Sequence, residues 1–160
     1  MIAKELYPFI QVYVVIIGLV VGSFLNVIIY RVPNNKSIIK PRSRCNGCGK
    51  QIAWYDNIPV LSYIALLAKC RNCKSSISVR YPLVEFICGM MALMLLNIYG
   101  PSYEFLVVVL LCFMLIAITF IDVDHFVIPN EFIIFGFIIS IFDDDSIFKI
   151  KFFAFRFGHI

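Results

Sequence analysis

Three long runs without a charged side chain dominate this sequence and leave it few ways to fold. They extend over 6–30, 86–103 and 105–121, bounded by Glu5, Arg31, Glu85, Glu104 and Asp122. A helix needs roughly 20 apolar residues, range about 17–25, to cross the hydrocarbon of a bilayer. In lipid each backbone amide must be satisfied within its own segment, so runs of this length are helices. Composition agrees: 61% of the 160 residues are hydrophobic and 15% are charged, against about 45–50% and about 25% in soluble domains. The expected fold is an all-α membrane protein with three to four transmembrane helices, at about 8–30, 83–100 and 104–122, and a fourth at 126–142 interrupted by Glu131. A cleaved signal peptide fits the first run poorly. Its apolar core would be about 7–15 residues long and would follow basic residues, whereas here the basic cluster comes after the run.

That cluster orients the chain. Residues 31–81 carry ten Lys and Arg against the single acid Asp56, a net +9. Basic loops stay on the cytoplasmic side, so residues 31–81 are expected in the cytoplasm and the N-terminus outside. The second helix then runs outward and the third returns. Asp122 and Asp124, at the end of the third, fall at the cytoplasmic membrane boundary. Basic residues beside a membrane also suit anionic lipids, so the bilayer is the expected partner of this charge and no nucleic acid is expected.

The same loop holds four of the six cysteines, in two pairs: Cys45-x-x-Cys48 and Cys70-x-x-Cys73, separated by the segment 49–69. Each Cys-x-x-Cys turn lets two thiolates reach one ion, and two turns complete the tetrahedron that Zn²⁺ prefers. Gly47, Gly49 and Asn72 supply turn residues. Four thiolates on Zn²⁺ leave a net charge of −2, which Arg44, Lys69, Arg71 and Lys74 can offset. The alternative is two disulfides, against which a reducing cytoplasm argues. A closed four-thiolate site stabilises rather than catalyses. It suits a loop whose only expected core is Trp54, Tyr55, Ile58, Val60 and Leu61. Cys88 and Cys112 each lie inside an apolar run, where cysteine acts as a small hydrophobe, and they are assigned no function.

Four stretches carry a resemblance: "GSFLNVIIYRVP" at 22–33, "PRSRCNGCGKQIAWYDNIPVLSY" at 41–63, "CRNCKSSISVRYPLVE" at 70–85 and "IDVDHFVIPN" at 121–130. In this order they resemble the bacterial type IV prepilin peptidases, bifunctional membrane enzymes that also N-methylate. The resemblance implies a multi-pass inner-membrane aspartic endopeptidase with its site at the cytoplasmic face. Its substrates are prepilins and the pseudopilins of secretion or DNA-uptake systems, whose short basic leaders are cut after a glycine. The second activity methylates the new N-terminus with S-adenosylmethionine. The position matching Asp122 is one of the family's catalytic aspartates. Aspartic proteolysis needs two carboxylates that share a proton, with pKa values pushed apart by proximity. Residues i and i+2 of a helix do not face each other, so Asp124 cannot be the partner of Asp122.

In the family the partner lies in a later Gly-x-Gly-Asp motif, and none of the eight glycines here begins one. After about residue 142 the apolar pattern also stops. The expectation is a C-terminally truncated member: a first helix at 1–30, the basic four-cysteine loop at 31–81, an incomplete set of peptidase-type helices at 82–142 and an atypical tail at 143–160. A divergent member using Asp143, Asp144 or Asp145 is the alternative. Leu67-Ala68 stands where the family often has Arg-Gly, which puts the methyltransferase activity in question. Pro129-Asn130 stands where it often has Pro-Asp.

Other residues are read more plainly. Gly18 and Gly22 allow close helix contact. Asn26 is expected to bond between helices, and Arg31 to anchor the end of its helix. Glu85 either pairs with Arg80 or lines a site. Asp124 and His125 either tune Asp122 or are solvated interfacial residues. A non-enzymatic reading stands beside the enzymatic one: a membrane-tethered zinc module that binds prepilin or assembly partners without cutting.

Overall fold

The computed structural model describes residues 2–126, together with Ile134. The expected fourth helix at 126–142, Pro129-Asn130 and the acids Asp143, Asp144 and Asp145 lie outside the described residues, apart from Phe126 and Ile134.

Each charge-free run is a helix. α1 spans Ile2–Arg31, α3 spans Arg80–Tyr99 and α4 spans Tyr103–His125. All three are long and apolar enough to cross a membrane. Between α1 and α3 lie a four-residue 3₁₀ turn, Trp54–Asn57, and a five-residue helix, α2, Leu61–Ala65. There is no strand among the described residues, only two isolated antiparallel bridges, Arg44 with Gln51 and Lys69 with Ser76.

The ends of the helices follow from local chemistry. α1 stops two residues before Pro33, because proline disfavours helical backbone in the residue ahead of it. The Gly100 amide makes the last i→i−4 bond of α3, to the Leu96 carbonyl, its positive φ of 65° turns the following chain out of the helix, and Pro101 prevents continuation. Ser102 then caps α4, its hydroxyl accepting from the Phe105 amide at 3.1 Å.

Small residues decide the packing. Gly18 and Gly22 of α1 lie directly on the backbone of α3: a Cβ at Gly18 would stand 2.8 Å from the Cys88 carbonyl oxygen. Gly89 of α3 receives Leu19 in return. Ile29, Val84, Cys88, Leu96, Ala117 and Ile121 are buried in the resulting three-helix core. Hydrogen bonds stitch the α1–α3 seam at both ends. Gln11 donates to Asn97 at 2.8 Å, and Asn26 Nδ2 donates to the Tyr81 carbonyl at 3.0 Å, the interhelical bond expected of Asn26. Large side chains such as Phe9, Ile16, Met94 and Leu115 face outward, as suits helices whose surroundings are as apolar as their own side chains.

The loop core expected around Trp54, Tyr55, Ile58, Val60 and Leu61 is not formed. Trp54 is 73% exposed and Leu61 is 66% exposed. A four-residue turn and a five-residue helix present too little surface to enclose anything. Polar bonds and the cysteine cluster hold the segment instead.

Candidate functional site

The two Cys-x-x-Cys stretches fold as one motif used twice. In the first, the Cys45 amide donates to the Lys50 carbonyl and the Gly49 amide to the Cys45 carbonyl, each at 2.9 Å. In the second, Cys70 donates to Ser75 at 2.8 Å and Lys74 to Cys70 at 3.0 Å. Both knuckles need one residue of left-handed backbone. Gly49 takes it at φ 68° and Lys74 at φ 59°.

Folding back on each other, the knuckles bring together Cys45, Cys48, Cys70 and Cys73, whose Sγ atoms all lie within 4.8 Å of one another. Cys45 and Cys73 are 3.7 Å apart at sulfur. Zn–S bonds of about 2.3 Å in tetrahedral geometry separate neighbouring sulfurs by about 3.8 Å, so the donor set and its spacing fit a tetrahedral metal ion. All four cysteines are free thiols. The Ser75 hydroxyl sits beside two of the sulfurs, 3.1 Å from Cys73 and 3.5 Å from Cys45. With the amides of Cys48 and Gly47, it draws the Cys45 thiol down to about 6. Ser75 also draws Cys73 down. At Cys48 the Lys50 amide pulls downward, but desolvation and the neighbouring sulfurs outweigh it and push the thiol up to about 11. Metal binding would expel the remaining protons, because the thiolate is the ligand. Nothing in the Cys spacing pointed to Ser75, since a serine after a knuckle looks like any loop serine. Gly47 is explained by it: a Cβ there would lie 2.8 Å from the Ser75 oxygen.

The rest of the loop is tied to this cluster. Asp56 accepts a bidentate bond from Arg71, which lies between the second pair of cysteines, with Nη2 to Oδ1 at 2.6 Å and Nε to Oδ2 at 2.9 Å. Arg71 also stacks over Tyr55. Its guanidinium holds the Asp56 carboxyl below the usual carboxylate range. Arg31 donates to the carbonyls of Ser37 at 2.8 Å and Pro41 at 2.7 Å, folding the chain back over the end of α1.

Under the cluster lies a cavity of about 1090 Å³, bounded by α1 at Ser23, Asn26 and Tyr30, by α3 at Tyr81 and Glu85, and by the knuckles at Cys45 and Cys70. Glu85 does not pair with Arg80. It is a buried carboxylate that accepts the Val60 amide at 2.7 Å. Val60 has φ 59° and ψ −47° and centres a tight turn in which Leu61 donates to Pro59. This is the strained form of the γ-turn, doubly unusual for a β-branched residue, and Glu85 secures it from α3. Arg80 instead pairs with Asp124, joining α3 to α4.

Asp122 stands apart. It occupies the last turn of α4, exposed, and its carbonyl accepts the Phe126 amide at 2.8 Å. Its carboxylate has no hydrogen bond or ion pair among the described residues and does not border the cavity. His125 is likewise exposed at the end of α4.

Comparison with known proteins agrees with this arrangement. Residues 16–99 match the family model of the bacterial peptidase A24 N-terminal domain. A prepilin leader peptidase/N-methyltransferase of Myxococcus xanthus (strain DK1622) is 49% identical over 122 residues, covering 76% of this chain and 36% of the relative. Proteins of the same name from Pseudomonas putida and Neisseria gonorrhoeae are 37% and 35% identical, over 76% and 79% of this chain and 50% and 52% of their own lengths. The chain thus spans about a third to a half of the curated relatives it matches. No solved structure gives a significant match. On the match across the second half of helix α1, both cysteine knuckles and helix α3, the chain belongs to the family of the bacterial peptidase A24 N-terminal domain.

Proposed function

We propose that this chain acts in the maturation of type IV prepilins or pseudopilins at the inner membrane; the matched family domain and relatives named prepilin leader peptidase/N-methyltransferase support this reading. In this reading, residues 31–81 face the cytoplasm, where ten basic residues against one acid would retain them. Cys45, Cys48, Cys70 and Cys73 hold one structural Zn²⁺. The metal supplies no chemistry to the substrate; it fixes the two knuckles as a roof over the cavity. S-adenosylmethionine and the substrate's new N-terminus bind beneath that roof, between α1 and α3. Asp122 supplies one of the two carboxylates for leader hydrolysis, and its partner lies outside the described residues.

The observation that carries this reading is the four-sulfur cluster, which borders through Cys45 and Cys70 a cavity that the loop encloses with α1 and α3. The cavity is large enough for a drug-sized ligand, and its walls mix polar and charged side chains, such as Asn26, Arg44, Lys50 and Glu85, with apolar and aromatic ones, such as Val27, Tyr63 and Leu66. A second reading rests on the closed four-sulfur site, which stabilises rather than catalyses, and on Asp122 having no partner carboxylate among the described residues: a membrane-tethered zinc module that binds prepilin and performs no hydrolysis.

The two activities separate experimentally. Methyl transfer to a peptide already free of its leader needs the roof and the cavity, whereas hydrolysis needs Asp122 and a second acid. The chain reconstituted in nanodiscs is expected to transfer label from methyl-labelled S-adenosylmethionine to such a peptide. Cys45→Ser should abolish the transfer and Asp122→Asn should spare it. A folded, zinc-loaded chain that binds the peptide and transfers no label would replace the enzymatic reading with the second one.

A further inference from the structure

The geometry points to a primary-ammonium site on the membrane side of the cavity, formed by Glu85 of α3 and Asn26 of α1.

Asn26 is only 3% exposed, and its Oδ1 is the one buried side-chain polar atom among the described residues that lacks a hydrogen-bond partner. Turning the amide over would not cure this. Nδ2 already serves two carbonyl acceptors, Gly22 at 3.3 Å and Tyr81 at 3.0 Å, so the nitrogen must stay where it is and the oxygen is the atom left over. Leaving a buried acceptor unpaired is costly, and such an atom calls for a donor that arrives from elsewhere.

Glu85 has the same need. An ionised carboxylate offers about four acceptor positions. The Val60 amide fills one, and the Ser23 hydroxyl lies alongside. No cation pairs with it among the described residues. Of the cations that border the cavity, Arg71 is paired with Asp56, Arg80 with Asp124 and Arg31 with two backbone carbonyls, and neither Arg44 nor Lys50 makes an ion pair with Glu85. Asp56, the other carboxylate bordering the cavity, is already paired. Glu85 is therefore the cavity carboxylate that has no ion-pair partner among the described residues.

Two acceptors short of donors, one charged and one neutral, suit a guest with several N–H groups and one positive charge. A primary ammonium has three donors and no acceptor. A hard metal ion fits less well: Ca²⁺ takes six to eight oxygens, whereas the acceptors left short of donors here are Glu85 and Asn26 Oδ1; Val27, Tyr30, Tyr63, Leu66, Tyr81 and Pro82 also line the cavity, alongside its polar residues. Those side chains suit the apolar body behind an ammonium, and aromatic faces add cation–π attraction. The α-amino group of a peptide and that of S-adenosylmethionine share this chemistry. Identifying the guest as either one rests on the proposed function; the ammonium site itself rests only on Glu85 and Asn26.

The test is binding rather than turnover, with the full chain in nanodiscs. The probes are a short apolar peptide with a free α-amine, the same peptide N-acetylated, and S-adenosylmethionine, each titrated calorimetrically. The free-amine peptide is expected to bind at least about tenfold more tightly than the acetylated one, since acetylation removes the charge and most of the donors. Glu85→Gln should erase that ratio while keeping an oxygen for the Val60 amide, and unchanged zinc content would verify its fold. Asn26→Leu should reduce the ratio several-fold by removing the orphan acceptor. If the two peptides bind alike but Glu85→Gln weakens S-adenosylmethionine by tenfold, the site stands and its ammonium is the cofactor's. If neither the peptide ratio nor S-adenosylmethionine affinity responds to Glu85→Gln, the site does not exist and water satisfies both acceptors. A preserved ratio in a chain that transfers no methyl group would keep this inference and remove the enzymatic reading.

Discussion

Gly22 of α1 lies against Glu85 of α3 so closely that a Cβ on the glycine would stand 2.7 Å from the Glu85 Cα. No rotamer change relieves a contact with backbone, so any side chain at 22 must push the helices apart. Because Glu85 borders the cavity and secures the Val60 turn, the seam and the site are coupled: what separates α1 from α3 also moves the carboxylate.

Gly22→Ala should accordingly destabilise the helix bundle by about 1–3 kcal/mol, the usual range for overpacking, measured by unfolding in mixed micelles. Gly18→Ala should act in the same direction, since its Cβ would meet the Cys88 carbonyl oxygen at 2.8 Å. A neutral result at both would mean that the helices do not approach this closely.

The paired knuckles allow a comparison of opposite signs. Gly49 and Lys74 occupy matching positions with left-handed backbone, and a Cβ at Gly49 would touch nothing within 4 Å. Gly49→Ala therefore probes backbone conformation alone and should destabilise the loop by about 1 kcal/mol. Lys74→Gly, compared with Lys74→Gln to remove the charge effect, should stabilise it by about 0.5–1 kcal/mol. Amide hydrogen exchange in the loop reads both.

Ala68 gives a related case. It sits at φ 59°, one residue after Leu67 at φ 50°, in the stretch where the resembling family often has Arg-Gly. Ala68→Gly should strengthen the loop by about 0.5–1 kcal/mol, and the same exchange measurement should show slower opening. Faster exchange would mean that the second knuckle does not require this backbone.

Acid should loosen the loop through Asp56. Arg71 lowers the folded-state pKa of Asp56 below its unfolded value of about 3.9. A carboxyl depressed in this way contributes stability that is complete above the unfolded value and is lost as pH falls through the folded one. The Asp56 contribution, read as the difference in loop protection between the native chain and Asp56→Asn, should therefore be flat from neutrality to about pH 5 and decline below about pH 4. An equal decline below about pH 4 in both chains would assign it to another group.

The three helices are legible in the sequence because lipid forbids charge and demands internal hydrogen bonding. A charge-free run long enough to cross the bilayer is itself a structural statement. The cysteine cluster is legible because Cys-x-x-Cys spacing fixes how two thiolates converge. Asn26 could be read as an interhelical donor, but its unpaired oxygen could not. The cavity depends on where Ser23, Glu85 and the knuckles meet, and these come from distant parts of the chain. The choice of Asp124 rather than Glu85 as the partner of Arg80 was hidden for the same reason, since Glu85 is nearer in sequence and Asp124 nearer in space. The apolar loop residues misled because Trp54 and Leu61 look like core in sequence, yet the segment is too short to bury them.

The central claim is that one metal ion holds the two knuckles over the membrane helices, and X-ray absorption at the zinc edge tests it most directly. On the full chain, purified reduced in detergent, the expected result is one zinc per chain with four sulfur neighbours at about 2.3 Å. Substoichiometric zinc, nitrogen or oxygen in the ion's coordination shell, or cysteines joined as disulfides in the reduced protein would contradict it.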